Sequence, residues 1–406
     1  MIKITNQTHP KETFLYAISR VLERASYYGI RALILIYMID SLNLPEQDAS
    51  KIYGFFIGAL VFTQIFGALL GDLVLGNKKA MLIGGILQAL GSFTLCIPSV
   101  MGLYIGLGLI LLGSGLYSSN ILSQFGKLYL NKKMLIDSGF SIFYLVTSLG
   151  AMIGGFAIMH VLEFTNYQFG FIFGGILMLL SVLICYFIKE KKEADETINY
   201  KIDFDKRLLT ILAFILIIAV YWGVYDYSSN GFVYLDYQFS ESYAMSRWIP
   251  NLFTTFSIAF LLPFGIIASI IWAFWYNSQL TKITTGFVLG AIALLILLFI
   301  PEPLGDSSVL IFIFSMFLLN LAEIHIAPIL YSILTVNSNP KYLATIISLS
   351  FIPIRIFSYL ISPFIKNSTG GLFSIMLGAI ILSIIAAVLI IAMMVKKRDS
   401  KSGDFS

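Results

Sequence analysis

Charge is what this sequence has least of: Asp, Glu, Lys and Arg together make up 12% of its 406 residues, against about 25% in soluble proteins. A chain so poor in charge cannot coat a water-facing surface. That sets aside the two or three soluble domains its length alone would allow. Histidine and cysteine are scarce as well. His9, His160 and His325 show no metal-ligand spacing, and Cys96 and Cys185 lie far apart in apolar runs, so the thiols read as inert. No Ser-His-Asp order and no nucleotide-binding glycine loop occurs. The sequence therefore points to no enzyme, no cofactor and no nucleic-acid partner. A cleavable leader is not expected, because the first dozen residues are polar and the apolar run behind them is too long and too charged.

What the chain has in quantity is apolar length: 58% of its residues are hydrophobic and its mean hydropathy is +0.89. Apolar segments fall at about 13–40, 52–76, 80–98, 101–125, 136–161, 166–188, 207–230, 249–276, 281–300, 308–336, 342–365 and 370–395. Twelve such runs predict an all-α polytopic membrane protein, since roughly 20 residues cross a bilayer as a helix. Basic residues give an independent test. With the N-terminus placed in the cytoplasm and sides alternating, 19 lysines and arginines fall inside and only Lys51, Arg247 and Lys366 fall outside. A miscounted span would scramble that asymmetry, so both termini are expected to be cytoplasmic. The polar stretch from Lys189 to Arg207 reads as a solvated linker. It divides the chain into a six-helix bundle over 1–188, a linker over 189–206, a second bundle over 207–396 and a tail over 397–406. Two six-helix halves with both ends inside is the layout of major facilitator transporters.

One face of the first span stands out. At 100° per residue, Arg20, Arg24, Tyr27 and Arg31 lie within about 60° of one another, with Glu23 and Tyr28 at the margins. Ionisable groups at membrane depth face a bundle interior or a water-filled cavity and mark function. Three guanidiniums against one carboxylate describe a basic wall, and arginine offers a planar, bidentate match to a carboxylate. A local stabilising network, with Arg24 paired to Glu23, is the simpler reading of the same residues. The second half supplies the opposite charge: Glu323 and His325 lie in the run from Val309 to Leu334, and Asp226 near the outer end of span seven.

Glu23-Arg24-x-x-Tyr27-Tyr28-Gly29 resembles the ExxERFxYYG signature of the proton-dependent oligopeptide transporter family. In order behind it, Gly67 to Lys79 resembles the family's loop between spans two and three. Gly113-Ser-Gly115 with Asn120 and Phe125-Gly126 resembles its fourth-span motif, and Asp137 to Tyr144 with Leu149-Gly150 its fifth-span motif. Trp222 with Asp226, and Glu323 with Pro328, sit where the family has its seventh- and tenth-span signatures. The resemblance implies a proton-coupled symporter of di- and tripeptides, multi-pass in the cytoplasmic inner membrane, with no cofactor and expected to be a monomer. It implies Arg24, Tyr27, Tyr28, Arg31, Ser118, Ser148, Trp222 and Glu323 as substrate-binding positions. Glu23, Arg20, Asp226 and Glu323 would serve proton coupling, and Asp72, Lys78 and Lys79 a gate.

The departures are equally specific. The first glutamate of the signature is Arg20 here, the fourth-span lysine is Ser118, a fifth-span asparagine is Ser148, and the eighth-span Asn-Pro falls on Thr254-Thr255. Exchanging a Glu–Lys pair for Arg20 and Ser118 moves the positive charge onto the first helix. It also opens the alternative of a carrier for another small charged or drug-like solute with altered proton coupling. The double variant Arg20→Glu with Ser118→Lys restores the family's pair and is expected to retain or improve uptake of a radiolabelled dipeptide into liposomes; a transport-dead double variant speaks for a coupling scheme built around Arg20.

Overall fold

The computed structural model describes residues 3–4, 7–164, 166–189, 204–243, 252–301, 304–357, 360 and 371–402. Twelve helices account for nearly all of them. In chain order they are α1 (Glu12–Asp40), α2 (Glu46–Leu70), α3 (Asn77–Thr94), α4 (Val100–Lys127), α5 (Ile136–Phe164), α6 (Tyr167–Phe187), α7 (Phe204–Tyr243), α8 (Leu252–Phe274), α9 (Gln279–Leu297), α10 (Asp306–Asn337), α11 (Leu343–Leu349) and α12 (Gly371–Ser402). A turn at Ser350 leads into further helical residues at 351–357. Two short strands, β1 (Lys3–Ile4) and β2 (Trp275–Tyr276), pair antiparallel. Among the described residues, nine helices are long and apolar enough to cross a membrane.

Local chemistry sets the boundaries. Ser99, Asn166 and Ser278 cap α4, α6 and α9 by accepting hydrogen bonds from the backbone N–H groups of Gly102, Phe169 and Thr281, which satisfies donors that a helix start leaves open. Between α2 and α3 the chain makes one π turn (Gly71–Leu75) and then breaks at Gly76, whose φ of +81° suits glycine. The structure departs from the sequence expectation in α7, which continues past residue 230 to Tyr243. The polar run Ser228-Ser229-Asn230 masks the helix, but Phe232, Leu235 and Phe239 beyond it are buried at helical spacing and carry the apolar stripe onward. Residues 190–203, most of the proposed linker, and the side chains of Thr254, Thr255 and His160 lie outside what is described.

The chain forms two compact units. The N-terminal unit takes in Gln7–Leu208 together with Leu334–Phe351; the C-terminal unit takes in Leu209–Ile333, Ile352–Ser406 and the initial strand. In the N-terminal unit α1 packs on α5 and α6, and α4 on α2 and α3, while α11 lies against α2 and α4. Close helix approach is carried by glycine: a Cβ at Gly67 would land on the backbone of Gly115, and one at Gly115 on the carbonyl of Thr63. Small residues at such crossings let α2 and α4 touch through their backbones. A buried hydroxyl cluster ties α1, α4 and α6. Ser19 Oγ sits 2.9 Å from Tyr117 OH and from Ser181 Oγ, with Cys185 Sγ beside it. Ahead of α1, His9 bridges Tyr129 OH at 2.9 Å and Ser138 Oγ at 3.3 Å; burial and the nearby Lys132 push its ring below the ordinary histidine pKa.

In the C-terminal unit α9 packs on α12 and meets α10 at Gly286, beside Ile326. Helix α7 meets α12 through Gly231 and through Ser228 against Gly378. Rings of Phe260 and Phe264 on α8 stand edge-on to Phe317 of α10 at 5.6 and 4.8 Å. Outward rings such as Phe55 and Phe62 of α2 are 75% exposed, as lipid-facing residues are.

The backbone contact of α2 and α4 predicts that Gly115→Val prevents assembly of the N-terminal unit, read as loss of the monodisperse peak in size-exclusion chromatography. Overpacking of this kind costs at least about 1–3 kcal/mol. Gly58→Val is the control, since a Cβ at Gly58 meets nothing within 4 Å.

Candidate functional site

The α1 face folds inward. Arg20, Glu23 and Arg24 are buried, Glu23 completely, because α5 and α6 cover this side of the helix. Two guanidiniums share the one carboxylate: Arg20 Nη1 donates to Glu23 Oε2 at 3.0 Å and Arg24 Nε to the same oxygen at 2.6 Å, while Arg24 Nη2 donates to Oε1. Each arginine also reaches a neighbouring helix. Arg20 Nε donates to Thr147 Oγ1 on α5 at 3.2 Å, and Arg24 Nη2 approaches Ser118 Oγ on α4 at 3.4 Å. Aromatic faces complete the enclosure. The Arg20 guanidinium lies 5.4 Å from the Phe143 ring centre, and that of Arg24 lies 4.9 Å from Tyr27 and 5.8 Å from Tyr28. Burying so much charge is tolerable only because it is paired and covered by ring quadrupoles.

Arg31, two turns further on, is built differently. It is half-buried, donates Nε–H to Tyr53 OH on α2 at 2.9 Å and lies over the rings of Tyr28 and Tyr53. Ser148 is half-buried and donates to the carbonyl of Tyr144 in its own helix at 3.3 Å. The structure thus brings Arg20, Glu23, Arg24, Tyr27, Tyr28 and Ser118 together, with Arg31 at their edge. It adds Phe143, which lies in the fifth-span motif but had no role assigned to it, and Tyr53 and Thr147, which the sequence does not single out.

The remaining candidates of this unit lie elsewhere in it. Asp72 Oδ2 accepts from the backbone N–H of Thr345 at 2.7 Å and from its Oγ1 at 2.8 Å, so this loop carboxylate holds the first turn of α11. Lys78 donates to the carbonyls of Tyr186 and Ile188 at 3.1 and 2.6 Å, capping the end of α6, where a cation suits the helix dipole. Lys79 is exposed.

In the C-terminal unit Glu323 is half-buried on α10. His325, on the opposite side of that helix, donates Nδ1–H to Leu321 O at 2.8 Å and stands edge-on to Trp272 at 5.3 Å. Lys282, buried on α9, places its Nζ 4.6 Å from the same indole. Trp222 packs on Tyr221 and Tyr225 at 5.7 and 5.5 Å, and these two tyrosines line a small cavity with Ser228 and Phe232. Asp226 is exposed. Among the described residues no three His, Cys, Asp or Glu side chains converge as a metal site would need.

A polytopic helical protein with charged side chains gathered in the interior of a helical unit has the construction of a membrane transporter. The sequence model of the Major Facilitator Superfamily matches residues 16–363, and the chain belongs to that family. Among curated proteins it is similar to a peptide transporter of Yersinia enterocolitica, 35% identical over 184 residues that make up 43% of this chain and 36% of that protein. It is also similar to dipeptide and tripeptide permease B of Aliivibrio fischeri, 30% identical over 46% of this chain and 37% of that one. The matched stretches thus span little more than a third of these relatives. Solved structures share the fold: a peptide transporter POT in complex with sulfate at TM-score 0.62 and 19% identity, covering 97% of this chain and 96% of that one. The transporter FucP in the outward conformation follows at TM-score 0.69 and 14% identity, covering 93% and 98%.

The shared carboxylate predicts a stability effect separable from transport. Glu23→Gln leaves two buried guanidiniums without their counter-charge and is expected to destabilise the N-terminal unit by about 3–5 kcal/mol. The check is the thermal unfolding midpoint in detergent, with Arg31→Gln, half-buried at the margin, changing it far less.

Proposed function

We propose that this protein is a secondary active transporter that takes di- and tripeptides into the cytoplasm together with protons, by alternating access. The observation that carries the reading is the α1 face, where Glu23, Arg24, Tyr27 and Tyr28 of the peptide-transporter signature meet in one enclosed polar cluster, in a chain 35% and 30% identical to two peptide transporters over 43% and 46% of its length. A peptide is a zwitterion. Its carboxylate would be met by Arg24 and Arg31, in the bidentate manner guanidinium allows, and its ammonium by Glu323. Tyr27, Tyr28, Ser118, Ser148 and Trp222 would supply hydroxyls, ring faces and an indole to the backbone and side chains of the cargo. Ligand binding that favours one state over another then biases the equilibrium between inward- and outward-open forms.

Proton coupling would be served by Glu23, held between Arg20 and Arg24, together with Asp226 and Glu323. The gate would be Asp72, in the π turn where it holds α11, with Lys78 and Lys79 on the first turn of α3. On this reading the protein would sit in the cytoplasmic membrane as a monomer with both termini inside, an orientation that the one-sided distribution of lysine and arginine supports. Arg20 and Ser118 favour one second reading, a carrier of another small charged solute with altered proton coupling, because the family's helix-to-helix charge pair is replaced by one inside α1.

Uptake of a dipeptide into proteoliposomes decides between them: accumulation is expected with an inward proton gradient and not without one. Gradient-independent accumulation selects the second reading. Arg24→Ala and Glu323→Gln are each expected to lower uptake about 10- to 100-fold, the size of a lost hydrogen bond to a charged group, with membrane insertion intact.

A further inference from the structure

Asp72 does not hold Thr345 unaided. Its other oxygen, Oδ1, accepts from Asn77 Nδ2 at 2.7 Å. The second N–H of that amide donates to Asn120 Oδ1 at 2.8 Å, and Asn77 Oδ1 accepts from Lys127 Nζ at 2.9 Å. The direction of every bond in this chain is fixed. Asn120 Nδ2 spends both its hydrogens on the carbonyls of Gly67 at 3.0 Å and Leu116 at 2.8 Å, so its oxygen must face Asn77. An ammonium can only donate, so Lys127 requires the oxygen of Asn77 on its side. Asn77 is therefore left with its NH2 toward Asp72 and Asn120, and with no alternative flip. The residue is 4% exposed at the first position of α3. Glycine at 71 is what admits Asn120, since a Cβ there would occupy the place of Asn120 Oδ1.

We propose that Asn77 is a positioning residue of the gate: by donating to Oδ1 it turns Asp72 so that Oδ2 is presented to Thr345, and Lys127 and Asn120 fix Asn77 in the orientation that makes this possible. The gating role of Asp72 gives the arrangement its consequence for transport, while the positioning itself is testable without transport. The group acts through another residue and touches no substrate. Its polarity, not its size, is what matters.

Asn77→Asp is the discriminating variant, because it keeps the shape and reverses the polarity. An introduced carboxylate would face Asp72 Oδ1 and Asn120 Oδ1 oxygen to oxygen, repelling Asp72 while gaining Lys127. Hydrogen–deuterium exchange on the full-length protein in nanodiscs reads the outcome at residues 343–349, with Asp72→Ala as reference for loss of the contact. Asn77→Asp is expected to raise exchange there about ten-fold or more, approaching the reference, with unchanged exchange over 100–116 and an unchanged melting temperature. Adding Asp72→Asn to Asn77→Asp lets the amide at 72 donate to the carboxylate at 77 and still accept from Thr345. It is expected to restore most of the protection. If Asp72→Ala raises exchange at 343–349 and Asn77→Asp does not, Asn77 positions nothing and the proposal falls. Exchange that rises equally over 100–116, or a double variant no better protected than the single, makes Asn77 a packing residue and also overturns it. No change with Asp72→Ala removes the gate contact itself, and the positioning role with it; unchanged dipeptide transport beside altered exchange refutes only the gating reading.

Discussion

Everything on the first helix depends on one buried carboxylate. Glu23 accepts from Arg20 on one side and Arg24 on the other, and without it two guanidiniums would sit uncompensated where water cannot reach them. Because both arginines turn inward to it, their far sides are free to engage α5 through Thr147 and α4 through Ser118. Three helices are thus registered on a single charge. Two neighbouring rings, Tyr27 and Tyr28, are held in a T-shaped pair at 5.5 Å by the same arginine that lies over them. The polar cluster is what fixes the packing of α1 against α4 and α5 in the N-terminal unit.

This arrangement changes how a departure in sequence is understood. Where relatives of the resembled family place a glutamate at position 20 and a lysine at position 118, this chain keeps an ion pair but draws both partners from one helix. A pair that spans two helices reports on their separation; a pair at i and i+3 does not. At this level the two arginines reach neighbouring helices through hydroxyls, Arg20 to Thr147 on α5 and Arg24 to Ser118 on α4.

Much of the fold was legible because its signals are of low resolution. Apolar run length and the one-sided distribution of lysine and arginine need no side-chain geometry, and the boundaries of α1, α4, α5, α6, α9 and α10 fell within a few residues of the helices seen. Helix α7 ran longer because three polar residues in its middle broke the hydropathy while its buried stripe continued. At the site, helical periodicity was enough to put Arg20, Arg24 and Tyr27 on one face. The pairing of Arg24 with Glu23 was one of the two readings it offered, but it could not say that Arg20 converges on the same carboxylate, since rotamers and not positions decide that. Tyr53 and Thr147 were invisible for a different reason: they belong to other helices, and only tertiary packing makes them partners. Thr345 carried no signal beyond its residue type, and Asn77, though inside the motif from Gly67 to Lys79, had no role assigned to its amide.

Helix α2 has a further consequence. Four of its residues are buried (Ala49, Phe56, Gly67 and Ala68), and its outward rings lie where acyl chains would be. At its end, one π turn on, sits Asp72 with its grip on α11. Packing against neighbouring helices sets the tilt of a span, and α2 has that packing where it crosses α4 at Gly67 and Gly115. The glycine crossing is therefore the fixed point from which the Asp72–Thr345 bond takes its place, one turn further along the chain.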